Sequence, residues 1–117
     1  MLRQITKNEC KISIHIEQDD QPVRGNAMAS GDDTADRECE NKVLARLNVG
    51  DVWAWANVEV CATWNGITGS DYLGGCSYAD EADFKTGGYY DSMVSEAVGR
   101  INETLAGMAE TVKALEI

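Results

Sequence analysis

Asn65-Gly66, set between two runs of strand-forming residues, constrains this chain more than any other feature. An Asn-Gly pair favours a two-residue turn in which both central residues take positive φ, so it fixes the middle of a hairpin and the register of its arms. Trp64 then opposes Ile67, Ala62 opposes Gly69, Val60 opposes Asp71 and Val58 opposes Leu73. On the other face Cys61 opposes Ser70, Glu59 opposes Tyr72 and Trp55 opposes Cys76. Strand side chains alternate between faces. The even-numbered residues from Val52 to Trp64 are small and apolar enough to lie beneath helices, whereas the odd-numbered face mixes Trp53, Trp55, Asn57, Glu59, Cys61 and Thr63. Trp53 and Trp55 are therefore expected either to anchor a partner or to lie under a loop of the same chain, because an uncovered pair of indoles invites aggregation.

Upstream, Lys11 to Glu17 alternates strictly, with Ile12, Ile14 and Ile16 on one face and His15 on the other, as a half-buried strand would. A long turn-rich loop with Pro22, Gly25, Asn26, Ser30 and Gly31 follows. From about Asp33 to Asn48 the pattern is helical, with Ser30, Asp32 or Asp33 as caps, a stripe of Cys39, Val43, Leu44 and Leu47, and Gly50 as the stop. Residues 79–84 suit one short helical turn. Gly87-Gly88 precedes a long final helix in which Val94, Val98, Ile101, Leu105, Met108, Val112 and Leu115 recur at spacings of four and three. At about 1.5 Å per residue this helix outruns an eight-residue strand, so its last turns should overhang the sheet.

These readings predict an α+β fold, β-α-β-β-α, with a three-stranded and mainly antiparallel sheet carrying its helices on one face. One domain spans 1–117, with 1–9 as an N-terminal extension and 106–117 as the overhanging helix end. Strand order stays open. Beside the third strand the first would make a wholly antiparallel sheet; beside the second it would make a parallel pair with a right-handed crossover.

Charge narrows the partners. Twenty acids stand against ten bases, a net charge of −10, which repels nucleic-acid backbones and favours a basic protein surface. Between Glu17 and Glu40 eight acids face only Arg24 and Arg37. Asp19, Asp20, Asp32, Asp33, Asp36 and Glu40, with Trp53 and Trp55, are the candidate partner-binding residues; the plainer reading is a solvated face that aids solubility. Arg24 is expected to clamp the loop by pairing with Asp32, Asp33 or a strand acid. Cys10, Cys39, Cys61 and Cys76 show no CxxC spacing and His15 is the only histidine, so no metal and no cofactor is expected. The paired acids do not match a calcium loop, and no phosphate loop, nucleophile elbow or HExxH is present. Without a long apolar run or an apolar leader, the expectation is a cytoplasmic, non-membrane protein that is not an enzyme.

PVRGNAMASGDD, RECENKVLARL, GDVWAWANVEV, YLGGCSY, the DF pair and GGYYDSMV resemble a widespread group of small acidic proteins of bacteriophages and prophages, from about Lys11 to about Glu96. The resemblance implies a phage-encoded protein at work in the cytoplasm of the bacterial host, and it carries over no catalytic residue. In character the chain is similar to inhibitors of host defence, anti-CRISPR proteins among them. The expected function is thus non-enzymatic inhibition of a nucleic-acid-binding defence protein, whose basic surface this chain would occupy without touching nucleic acid itself. Two alternatives stand beside it. One is a small structural or regulatory phage protein that forms a homodimer through Ile101, Leu105, Met108, Val112 and Leu115; the other is a small-ligand module built from the loop near Arg24 and the tryptophans.

Overall fold

The computed structural model describes residues 2–116; Met1 and Ile117, the outer ends of the expected extension and overhang, lie outside the described residues. Strands β1 (Lys11–Gln18), β2 (Ala56–Trp64) and β3 (Ile67–Cys76) accompany helices α1 (Asp33–Asn48), α2 (Glu81–Thr86) and α3 (Tyr89–Ala114). Single 3₁₀ turns at Lys7–Glu9 and Val52–Ala54 precede β1 and β2. The α+β class and the antiparallel sheet are as the sequence patterns predict. Asn65 and Gly66 take φ of 50° and 79°, as their turn requires, and the arms pair Trp64 with Ile67, Ala62 with Gly69, Val60 with Asp71 and Val58 with Leu73.

The sheet order is β1-β2-β3, with both pairings antiparallel. The expectation of a parallel pair for β1 beside β2 is corrected. It assumed that α1 crosses the sheet, but α1 packs at the sheet's end against the Val52–Ala54 turn, so the chain re-enters at the end it left and Gln18 pairs with Ala56. The hairpin register also shifts at its base: Ala56, not Trp55, opposes Cys76. Gly74-Gly75 supply the extra residue of a β-bulge. Gly75 adopts φ 59°, a left-handed conformation that favours glycine, and lies beside the Trp55 ring.

Helix α3 lies across β2 and β3. Its Met93, Val94, Ala97, Val98 and Ile101 close over Ala56, Val58, Val60 and Ala62, all buried, with Phe84 sealing one end. Each fully buried Val, Ile or Phe contributes about 1.5–3 kcal/mol by leaving water. Close approach depends on Gly69, where an added Cβ would run into the Ala97 carbonyl oxygen. At the other end Ile5 is buried, and its backbone N–H and carbonyl exchange hydrogen bonds of 2.9 and 3.1 Å with the Asn102 amide. Residues near the N-terminus thus strap α3 where the sheet runs out. Beyond that point α3 continues alone, and the molecule measures 69 × 24 × 21 Å.

Candidate acidic docking surface and its supporting clusters

The loop between β1 and α1 closes over Trp55. That indole is only 3% exposed, sharing a second core with Val23, Val43 and Ala54, against which Ala27, Leu44 and Leu47 pack. Its Nε1–H donates to the Gln21 carbonyl at 2.8 Å, so the ring is both buried and satisfied. Asp19 ties the loop to β3: one carboxylate oxygen accepts from Gly75 N–H and the other from Gln21 N–H, each at 2.7 Å. Cover by the chain's own loop, rather than by a partner, is what Trp55 receives.

Trp53 goes elsewhere. Because Val52–Ala54 forms a 3₁₀ turn, strand alternation starts only at Ala56, and the expectation of Trp53 and Trp55 side by side on one sheet face is corrected. Trp53 joins Tyr78, Phe84 and Tyr90 in an aromatic cluster, with ring centroids 5.2 to 6.5 Å apart. Arg46, which the sequence patterns do not single out, fastens α1 to this cluster. Its guanidinium pairs with Asp51 at 2.8 Å and donates to the Tyr78 carbonyl at 2.5 Å.

Arg24 does clamp the loop, but onto Glu40 and Asn41 instead of Asp32, Asp33 or a strand acid. It donates to Glu40 Oε1 at 3.1 Å and to Asn41 Oδ1 at 2.6 Å, while Gly25 N–H donates to Glu40 Oε2 at 2.6 Å. Glu40 is 6% exposed, so it is corrected from a partner-binding acid to a structural one. The Gly25 N–H, then Arg24, hold its carboxyl below the ordinary carboxylate range. Asp32 caps α1 by accepting from Thr34 and Ala35 N–H. Asp36 accepts from the Ser30 hydroxyl at 2.6 Å, and that bond lowers its pKa.

Of the candidate acids, Asp20, Asp32 and Asp33 are exposed; Asp32 is occupied as the cap, which leaves Asp20 and Asp33 free of side-chain partners, and Glu38 joins them as an exposed acid of α1. None of Asp20, Asp33 and Glu38 enters the four ion pairs among the described residues. Of the two arginines between Glu17 and Glu40, Arg24 is bound to Glu40. The loop and the start of α1 therefore present several carboxylates against one exposed cation outside these ion pairs, Arg37, which lies beside Asp33 and Glu38.

The hollow beside Arg24 is rimmed by Asp33, Asp36, Arg37 and Glu40, and neither tryptophan reaches it, which removes the aromatic half of the expected ligand site. The uncovered sheet face holds a smaller hollow lined by His15, Ile16, Glu17, Asn57, Glu59 and Tyr72, of about 170 Å³, below the size usual for small-molecule sites. There Glu59 accepts from Tyr72 Oη at 2.9 Å, and hydrogen bonds from Ser70 and Tyr72 lower its pKa. Among the described residues no three His, Cys, Asp or Glu side chains gather as a metal site, and the four cysteines are free.

The expected dimer residues divide. Ile101 is fully buried within its own chain, and so is corrected from an interface residue to a core residue. Leu105 is half-buried against that core, whereas Met108, Val112 and Leu115 are exposed. No helix among the described residues is long and apolar enough to cross a membrane. Comparison with protein-family models, curated proteins and solved structures returns no match.

Proposed function

We propose that this chain is a non-enzymatic binding protein that docks its acidic loop and α1 onto a basic protein surface, and that it inhibits a nucleic-acid-binding protein of bacterial defence on behalf of a phage. The observation that carries this reading is the set of exposed carboxylates, Asp20, Asp33 and Glu38, in a segment where eight acids from Glu17 to Glu40 meet two arginines and one of these, Arg24, is held by Glu40. Such a surface attracts a cationic groove over roughly a Debye length, about 8 Å at physiological salt, and repels nucleic acid. The Trp55 core and the Arg24–Glu40 clamp hold the loop in place, so little ordering has to accompany docking.

Replacing Asp20, Asp33 and Glu38 together by Lys tests it, since none of these side chains supports the core. Phage plating on defended hosts should fall to the level seen without the protein, while circular dichroism and Tm stay as in the wild type. Equal plating with and without the wild-type chain across several defence systems counts against inhibition. Binding to a purified basic target should weaken steeply with added salt; a salt-independent affinity would point to apolar docking instead.

A further inference from the structure

We propose that two copies of this chain associate through the end of α3, packed antiparallel about a two-fold axis that crosses the seam at the height of residue 110. The stripe that seals the core at Ile101 continues without change of spacing through Leu105, Met108, Val112 and Leu115. Past the strap at Asn102 nothing among the described residues closes over it. Leu2 comes nearest, at the edge of an apolar groove it shares with Leu105, Met108 and Val112. Leu2 is itself 63% exposed, with Met108 at 49%, Val112 at 61% and Leu115 at 77%, so it widens the apolar patch instead of covering it.

The occupant that fits is a second α3. Two such stripes laid antiparallel place Leu105 on the partner's Leu115 and Met108 on the partner's Val112, and the two-fold axis repeats both contacts, giving four apolar layers. Thr104, Ala109 and Thr111 flank this seam. At 100° per residue Glu103 and Glu110 fall on the outer side of the helix; Lys113 and Glu116 border the groove, and in this register Glu116 of one copy lies opposite Thr104 of the other, so the pairing sets no like charges face to face despite the acidity of both copies. Four layers with Leu2 at the rim bury on the order of 1,000 Å² in total, the low end for a specific pair. The dimer is therefore concentration-dependent rather than obligate. Its geometry also has a consequence for reach: α1 and its loop sit at the opposite end of the molecule from the α3 tail, so the pair would carry two acidic surfaces at its far ends.

Sedimentation equilibrium of the full chain tests this, from about 1 to 200 µM. The mass should rise from 12.7 kDa toward twice that value, and the double variant Val112→Lys, Leu115→Lys should stay at the lower mass with an unchanged circular dichroism spectrum. A wild-type mass constant at 12.7 kDa, or a dimer that survives in the variant, overturns the proposal. Orientation is read by oxidising a mixture of Met108→Cys and Val112→Cys chains: a disulfide between the two variants, above the background of the native cysteines, is the expected product. Met108→Cys joined chiefly to itself would overturn the antiparallel register.

Discussion

The two halves of α3 carry the same kind of apolar stripe and meet opposite fates. From Met93 to Ile101 the stripe is sealed between β2, β3 and the aromatic cluster around Phe84; from Met108 to Leu115 it faces solvent. Residue type and spacing do not distinguish the halves. What differs is whether a sheet lies underneath, and the sheet stops at the hairpin turn while the helix does not. A period of three and four residues thus reports an apolar face and leaves open what covers it.

Removing side chains from each half sharpens this contrast most. Phe84→Ala should destabilise the chain by about 3–5 kcal/mol, since the ring is fully buried and leaves a cavity among aromatic neighbours. Val112→Ala should change the stability of the dilute chain by no more than about 0.5 kcal/mol. Urea unfolding at low micromolar concentration measures both, and comparable losses would break the division.

A second test acts on the sheet beneath the covered half. Gly69→Ala sets a methyl against the Ala97 carbonyl, and lifting the helix to make room should cost about 1–3 kcal/mol. The same change at Gly107, where a Cβ meets nothing within 4 Å, should be neutral or stabilise the helix by up to about 1 kcal/mol.

Much of this architecture is legible in the sequence. Asn65-Gly66 fixes the register as far as Val58, the 3–4 spacing predicts α3 over its whole described length, and Asp32 is readable as a cap. The misreadings share a cause, because each turns on where the chain travels between elements. Val52-Trp53-Ala54-Trp55-Ala56 alternates like a strand, but its first three residues coil into a 3₁₀ turn and send the indoles into separate cores. Arg24 finds Glu40 rather than the nearer Asp32 because the loop folds back along α1. Gly69 is placed by the hairpin register opposite Ala62, but the helix that rests on it is not legible there. Nothing in local pattern encodes these meetings. The acidic surface was legible only as composition; which of its carboxylates are free depends on the caps and clamps that occupy the others.

The loop end offers a smaller test. Trp55→Phe keeps most of the packing but leaves the Gln21 carbonyl without the indole donor, a loss of about 1–3 kcal/mol, and it should leave the association of α3 tails untouched. Smaller still is the acid dependence of the Glu40 clamp. Its folded pKa lies below the ordinary 4.5, so the clamp's contribution is fully present above that value and is lost as pH falls through the depressed one. Glu40→Gln should therefore flatten the acid limb of the stability profile, measured by urea unfolding from about pH 6 down to pH 3, with the neutral-pH Tm lowered by a few degrees.

Hydrogen exchange along α3 at two protein concentrations tests the division of this helix most directly. In the dilute chain the amides of residues 93–101 should exchange only through global opening, and those of residues 105–114 much faster, because their helix has no sheet beneath it. Raising the concentration should slow exchange in 105–114 alone. Equal protection of both halves in the dilute chain, or no response of 105–114 to concentration, would contradict the claim that one half of α3 builds the core and the other awaits a second copy.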